Sequence, residues 1–227
     1  MFAASLAYLV KTEIIALPGG DLEIRSLLDR QQFSDPDDEA LAAGISSAAW
    51  PLFGLIWPSG LMLAAEMQTH AIAGLRVLEV GCGLGLASMV VHRRCGDITA
   101  SDSHPLARAF LAHNLGLNLL LPMKYETGNW GRENPGLGLF DLIIGSDLLY
   151  DRDQPATLAA FIDRHASAAA EVLIVDPDRG NRSSFNRHMA ARGFVCEELR
   201  LHMLPCNGGP YKGRLLSYRR ETVRAVV

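Results

Sequence analysis

One run of residues constrains this chain more than any other. In Val77-Leu78-Glu79-Val80-Gly81-Cys82-Gly83-Leu84-Gly85-Leu86 an apolar strand runs straight into glycines, and the glycines run into a helix. Such a turn brings a ligand against bare backbone where the carboxyl end of a strand meets open space. The chain downstream keeps the same rhythm. Short apolar runs predict strands over 76–80, 98–101, 123–127, 139–145 and 172–175, and helical patterns fall between them at 84–94, 105–117, 155–167 and 183–192. Asp141-Leu142-Ile143-Ile144 and Val172-Leu173-Ile174-Val175 are near-continuous apolar runs, as strands covered on both faces require. The class is therefore α/β: a Rossmann-like, mostly parallel sheet with helices on both faces.

The flanks differ. Alternating residues at 12–15 and 22–27 surround Pro18-Gly19-Gly20 and predict an N-terminal β-hairpin. An acidic loop follows at 34–39. Trp50-Pro51-Leu52-Phe53-Gly54-Leu55-Ile56-Trp57-Pro58 is apolar yet broken by prolines, so neither a regular helix nor a central strand suits it. Ser59 is expected to cap a helix reaching about residue 73. Residues 194–201 and 214–219 flank Leu204-Pro205-Cys206-Asn207-Gly208-Gly209-Pro210 and predict an antiparallel hairpin at the sheet edge. The expected division is a hairpin and covering segment over 1–58, then the main domain over 59–227.

Composition narrows the classes further. With 227 residues, 49% of them apolar and 20% charged, the chain can build a core without disulfide or metal staples. A net charge of −4 argues against a broad nucleic-acid surface. No run reaches the roughly 18–20 apolar residues of a spanning helix, so no membrane partner is expected. Residues 1–10 are apolar but lack the cationic start of a leader. Cys82, Cys95, Cys196 and Cys206 form no C-x-x-C pair, which favours a reducing cytoplasm. Cys196, His202 and Cys206 lie close together without a recognised ligand spacing, and no metal is expected.

The details of the glycine loop select its ligand. A dinucleotide site uses G-x-G-x-x-G, but here Gly81, Gly83 and Gly85 give G-x-G-x-G and Leu86 stands where the third glycine would be. Glu79, just before the loop, would repel a pyrophosphate and suits a cationic ligand, held directly or through the loop backbone. Asp102, ending the second strand, can accept from both hydroxyls of a ribose. A ligand with a ribose, an amine and no phosphate fits, and S-adenosylmethionine (SAM) is such a ligand.

With these residues in view the chain resembles the seven-strand, class I SAM-dependent methyltransferases. Two further motifs are similar to the Family 16 protein-lysine methyltransferases. Asp147-Leu148-Leu149-Tyr150 resembles that family's D-x-x-Y, and Asp176-Pro177-Asp178-Arg179 resembles the D-P-G-R of the branch acting on the electron-transfer flavoprotein β-subunit, with Asp178 in the glycine's place. The resemblance implies a seven-stranded sheet. It also implies cofactor contacts from Trp57, Glu79, Gly81, Gly83, Gly85, Asp102, Ser103, Asn129, Trp130 and Ser146. Asp147 and Tyr150 would hold the acceptor amine, and Arg179, Arg182 and the turn at 207–211 would read an acceptor protein. Set against this, Trp57 and Trp130 could be plain core aromatics, Asp147 a turn cap, Tyr150 packing, and Arg179 and Arg182 a solvated pair. The activity implied is lysine N-methylation of a protein. The alternatives are a small-molecule N-methyltransferase and a non-catalytic SAM-binding regulator. No feature of the sequence selects an acceptor or an oligomeric state.

Overall fold

A computed structural model describes residues 8–205 and 208–221. The start of the leader-like run, and Cys206 and Asn207 of the supposed metal group and turn, lie outside the described residues. Strands β1 (Val10–Ile15) and β2 (Leu22–Leu27) pair antiparallel around the Pro-Gly-Gly turn. The acidic segment is not wholly a loop: the short helix α1 (Glu39–Ala42) forms there, its first amides at Ala40 and Leu41 donating to the Asp35 carboxylate at 2.9 Å. The proline-broken run makes a 3₁₀ helix, Trp50–Gly54, which then feeds α2 (Pro58–Glu66).

Helix α2 is shorter than expected, and its N-cap is Trp57, not Ser59. Beyond it His70 sits between Glu66 and Glu171, and Ile72 is buried in the core. From there the alternation read in the sequence appears in order: β3 (Arg76–Val80), α3 (Leu86–Arg93), β4 (Asp97–Asp102), α4 (Ala107–Leu117), β5 (Lys124–Thr127), β6 (Phe140–Ser146), α5 (Gln154–His165), β7 (Ala166–Asp176) and α6 (Arg182–Ala190). The tail supplies β8 (Val195–Met203) and β9 (Pro210–Arg220).

These strands form one seven-stranded sheet in the order β5-β4-β3-β6-β7-β9-β8. The first five are parallel; β9 runs antiparallel to β7, and β8 antiparallel to β9. Side chains alternate across the sheet and split the core in two. Val77, Leu142 and Ile144 face Leu63, Met89 and Phe110 of α2, α3 and α4. Leu78 and Ile143 face Phe161 and Phe185 of α5 and α6.

The N-terminal hairpin is fastened to α4 in an unusual way. Asn114 accepts from the Arg25 amide at 2.8 Å and donates to the Arg25 carbonyl at 3.2 Å. Asn118 does the same for Glu23, at 2.8 and 2.7 Å. Positions i and i+4 lie one above the other on a helix, while residues two apart share one side of a strand. The two carboxamides thus stand in for a neighbouring strand along the edge of β2, and Leu22, Ile24 and Leu27 are buried in the same core as α4.

Candidate active site

All five parallel strands present their carboxyl ends to one side of the sheet, and a cleft of about 700 Å³ opens there. The glycine loop forms its floor. Gly81 and Gly83 have φ of +59° and +52°, a region costly to residues with a Cβ. A Cβ at Gly83 would lie 2.7 Å from the Phe53 carbonyl, and one at Gly81 2.6 Å from Leu148, so the loop closes only with glycine. Gly85 behaves differently from the expectation. It is the N-cap of α3, pressed against Leu111, and does not line the cleft.

Glu79 lines the cleft but is committed to the fold. Its Oε2 accepts from the Ser88 amide at 2.8 Å and from the Ser88 hydroxyl, fixing the first turn of α3. Burial pushes its carboxyl up to about 7. One oxygen of the carboxylate read as a ligand group is thus taken up by Ser88. Asp102 holds the loop from the other side: its Oδ2 accepts from the Gly83 amide and its Oδ1 from the His104 amide, each at 2.8 Å. Burial raises it as well. A carboxylate has about four lone-pair sites, so these bonds do not exhaust it.

Ser103, Asn129, Trp130, Ser146 and Trp57 all line the same cleft. Trp57 is not a free lid, since its Nε1–H donates to the Leu52 carbonyl at 2.8 Å. Asn129 is turned inward, its Oδ1 accepting from the Gly131 amide at 3.0 Å. Asp147 follows β6 at φ +55°, its amide still tied to the Val175 carbonyl at 2.9 Å. Its Oδ1 accepts from Arg179 Nε at 2.6 Å. Tyr150 stands at the rim, 47% exposed.

The two arginines separate. Arg179 lines the cleft; Arg182 does not, being bound by Asp178 and Glu198. Asp178 sits at φ +65°, the conformation a glycine takes most readily, so the aspartate reproduces the turn while also pairing with Arg182 and with Arg214 at 2.9 Å. Tyr211, read as part of an exposed turn, is buried at the start of β9, its hydroxyl 2.8 Å from Ser59 Oγ.

Sequence reasoning missed two contributors. His104 is 3% exposed, stacked on Phe53 at 3.7 Å between ring centroids, and burial lowers it to about 4. Asn181 donates to the carbonyls of Leu149 and Asp151 at 2.9 and 3.0 Å and so holds the loop carrying Tyr150. Neither residue belongs to a motif; only its place two residues beyond Asp102 marked His104. Among the described residues no group of three His, Cys, Asp or Glu could hold a metal ion.

The donor set fits SAM. Carboxylates end β4 and follow β6, glycine backbone, Trp57 and Trp130 line the space between, and among the described residues the cleft's one arginine is already paired with Asp147. That leaves no cation for a pyrophosphate.

The comparisons agree. A methyltransferase from Pyrococcus furiosus superimposes with a TM-score of 0.57 at 17% identity, covering 83% of this chain and 99% of that one, which establishes the shared fold. In sequence, the chain is 31% identical over 139 residues to the electron transfer flavoprotein beta subunit lysine methyltransferase of Xenopus laevis, covering 59% of this chain and 55% of that protein. The Danio rerio protein of that name is 32% identical over 142 residues, covering 60% and 54%. The protein N-lysine methyltransferase METTL21A of Xenopus tropicalis is 26% identical over 163 residues, covering 67% and 71%. The chain spans about half the length of the flavoprotein-modifying relatives it matches. A family profile described as lysine methyltransferase matches residues 47–191. That match takes in the glycine loop, Asp102, Asp147 and Arg179, and by it the chain belongs to the lysine methyltransferase family.

Proposed function

We propose that the chain is a SAM-dependent methyltransferase acting on lysine side chains of a protein. The observation that carries this reading is Asp147: a carboxylate following a buried strand, opening into the same cleft as the glycine loop and Asp102. SAM, when bound, supplies a methyl group on positively charged sulfur, already activated for transfer to a lone pair. The protein's part is then to orient the acceptor and exclude water. Asp102 holds ribose hydroxyls, Gly81 and Gly83 let the ligand reach the backbone, and Trp130 covers it. Asp147 anchors the acceptor nitrogen, and Tyr150 shapes the entry.

The exposed rim at Tyr150 favours a side chain reaching in from a macromolecule over a small substrate sealed inside. The names of the similar proteins support an electron transfer flavoprotein β-subunit as the first acceptor to try and, from a calmodulin-lysine N-methyltransferase of Arabidopsis thaliana 28% identical over 137 residues, calmodulin as the second. Free Cys82, Cys95 and Cys196 support a reducing, cytoplasmic setting. The test is incubation with methyl-labelled SAM and each recombinant acceptor, then lysate from cells lacking the protein. Label on a lysine is the expected outcome. Label only in small molecules would replace the protein acceptor with a metabolite, and SAM binding without any transfer would make the chain a regulator.

A further inference from the structure

Asp147 does not meet the cleft as a bare carboxylate. Arg179 Nε donates to its Oδ1 at 2.6 Å, while among the described residues none donates to Oδ2. Arg179 is itself held, its backbone amide donating to Asp176 Oδ1 at 2.8 Å beyond the left-handed turn at Asp178. This bears on a difficulty in lysine methylation. A free lysine, with a pKa of about 10.4, is almost wholly ammonium near neutrality and has no lone pair to give. A lone carboxylate at the methyl-transfer position would deepen that problem by favouring the cation.

We propose that Arg179 is a positioning residue: it neutralises Asp147, so that the acceptor lysine is taken up as a neutral amine, donating an N–H to Asp147 Oδ2. The proposal rests on the protein-lysine reading above. Other groups facing the pair leave this arrangement intact. Tyr150, beyond β6, and Tyr211, on β9, are both raised by burial and stay neutral. Arg182, on α6, is occupied by Asp178 and Glu198. Asp176, on β7, is fully buried and pushed up to about 6 by that burial and by the Asp147 charge. Its Oδ1 accepts from the Arg179 amide at 2.8 Å, and Asp176 does not line the cleft.

The test uses n-butylamine, a lysine side chain without backbone, titrated by NMR into the full chain saturated with S-adenosylhomocysteine, from pH 7 to 9. For wild type, affinity for total amine should rise about tenfold per pH unit, following the neutral fraction. Arg179→Gln should bind about tenfold or more tightly at pH 7 and lose the pH dependence, because the bare carboxylate accepts ammonium. Arg179→Lys should keep the wild-type slope. A purely structural arginine would lower affinity at every pH with the slope unchanged. That result overturns the proposal, as does a flat wild-type profile or an absence of binding by both proteins. Because no turnover is needed, a chain that binds amine in this way yet labels no protein lysine would overturn the functional reading alone.

Discussion

Asp102 and Asp147 both end up on the cleft, yet they should fail differently when removed. Asp102→Ala takes away the carboxylate that accepts from two backbone amides and, on the proposed reading, from the ribose. S-adenosylhomocysteine affinity measured by calorimetry should fall by about 1.5–3 kcal/mol, the worth of charge-assisted hydrogen bonds. Asp147→Asn keeps the shape of the turn and leaves cofactor affinity near wild type. Its kcat/KM should fall roughly tenfold to a thousandfold, the scale of a lost 1.4–4 kcal/mol transition-state contact. Unchanged turnover in Asp147→Asn would remove it from the site. Asp178 was legible only as a departure from a familiar glycine, and the sequence did not show that an aspartate could keep the turn. The structure makes a measurable contrast. Asp178→Ala should be less stable in urea than Asp178→Gly by about 1–2 kcal/mol, since both lose the arginine pairs but only alanine keeps the left-handed strain.

At the scale of elements, what could be read in advance was whatever periodicity encodes. The strand at 139–145 was found to within a residue because burial on both faces demands a near-continuous apolar run, and the one at 76–80 because it runs straight into the glycines. The length of β7 was not. Its first residues, Ala166–Ala170, are small and carry little pattern; of them only Ala166 and Ala170 appear in the ladders, opposite Phe140 of β6 and Arg220 of β9. The end of α2 was also misplaced, and the pairing of His70 beyond it with Glu171, more than a hundred positions downstream, carries no local signal. The Asn114 and Asn118 pairing was equally invisible, since an asparagine on a helix declares no partner. It is nevertheless testable. Asn114→Ala strands a part-buried amide at Arg25 and should cost about 1–3 kcal/mol, against less for the more exposed Asn118→Ala, and hydrogen exchange at Arg25 should rise in the first variant.

For the whole molecule, the buried acids set the response to pH. The folded state holds the Glu79 proton more tightly than the unfolded chain does. Stability from this group is therefore complete below about 4.5 and lost as pH rises through about 7. Asp176 acts in the same direction between 3.8 and about 6, while His104, lowered to about 4, opposes both up to 6.5. The Glu79 share is isolated by difference. Chemical denaturation at pH 5 and pH 8 should show wild type losing up to about 3 kcal/mol more than Glu79→Gln over that interval. Equal losses would mean the carboxyl ionises freely in the folded protein.

The sheet order also dictates how the molecule can be assembled. Strand β9 lies between β7 and β8, and among the described residues β8 has no other neighbour. A growing chain that has already released β8 thus has nowhere to dock it, because its only ladder partner is still to come. The last two strands must zip together first, or join the sheet as one piece, where the Leu204 amide donates to the Gly209 carbonyl at 2.8 Å. Until then the outer edge of β7 stays open, with Val172 to Val175 ready to pair with any strand that reaches it. The slowest and most aggregation-exposed stage of folding should therefore be the arrival of this hairpin, far in sequence from the glycine loop, and substitutions in its turn should alter refolding yield before they alter cofactor binding.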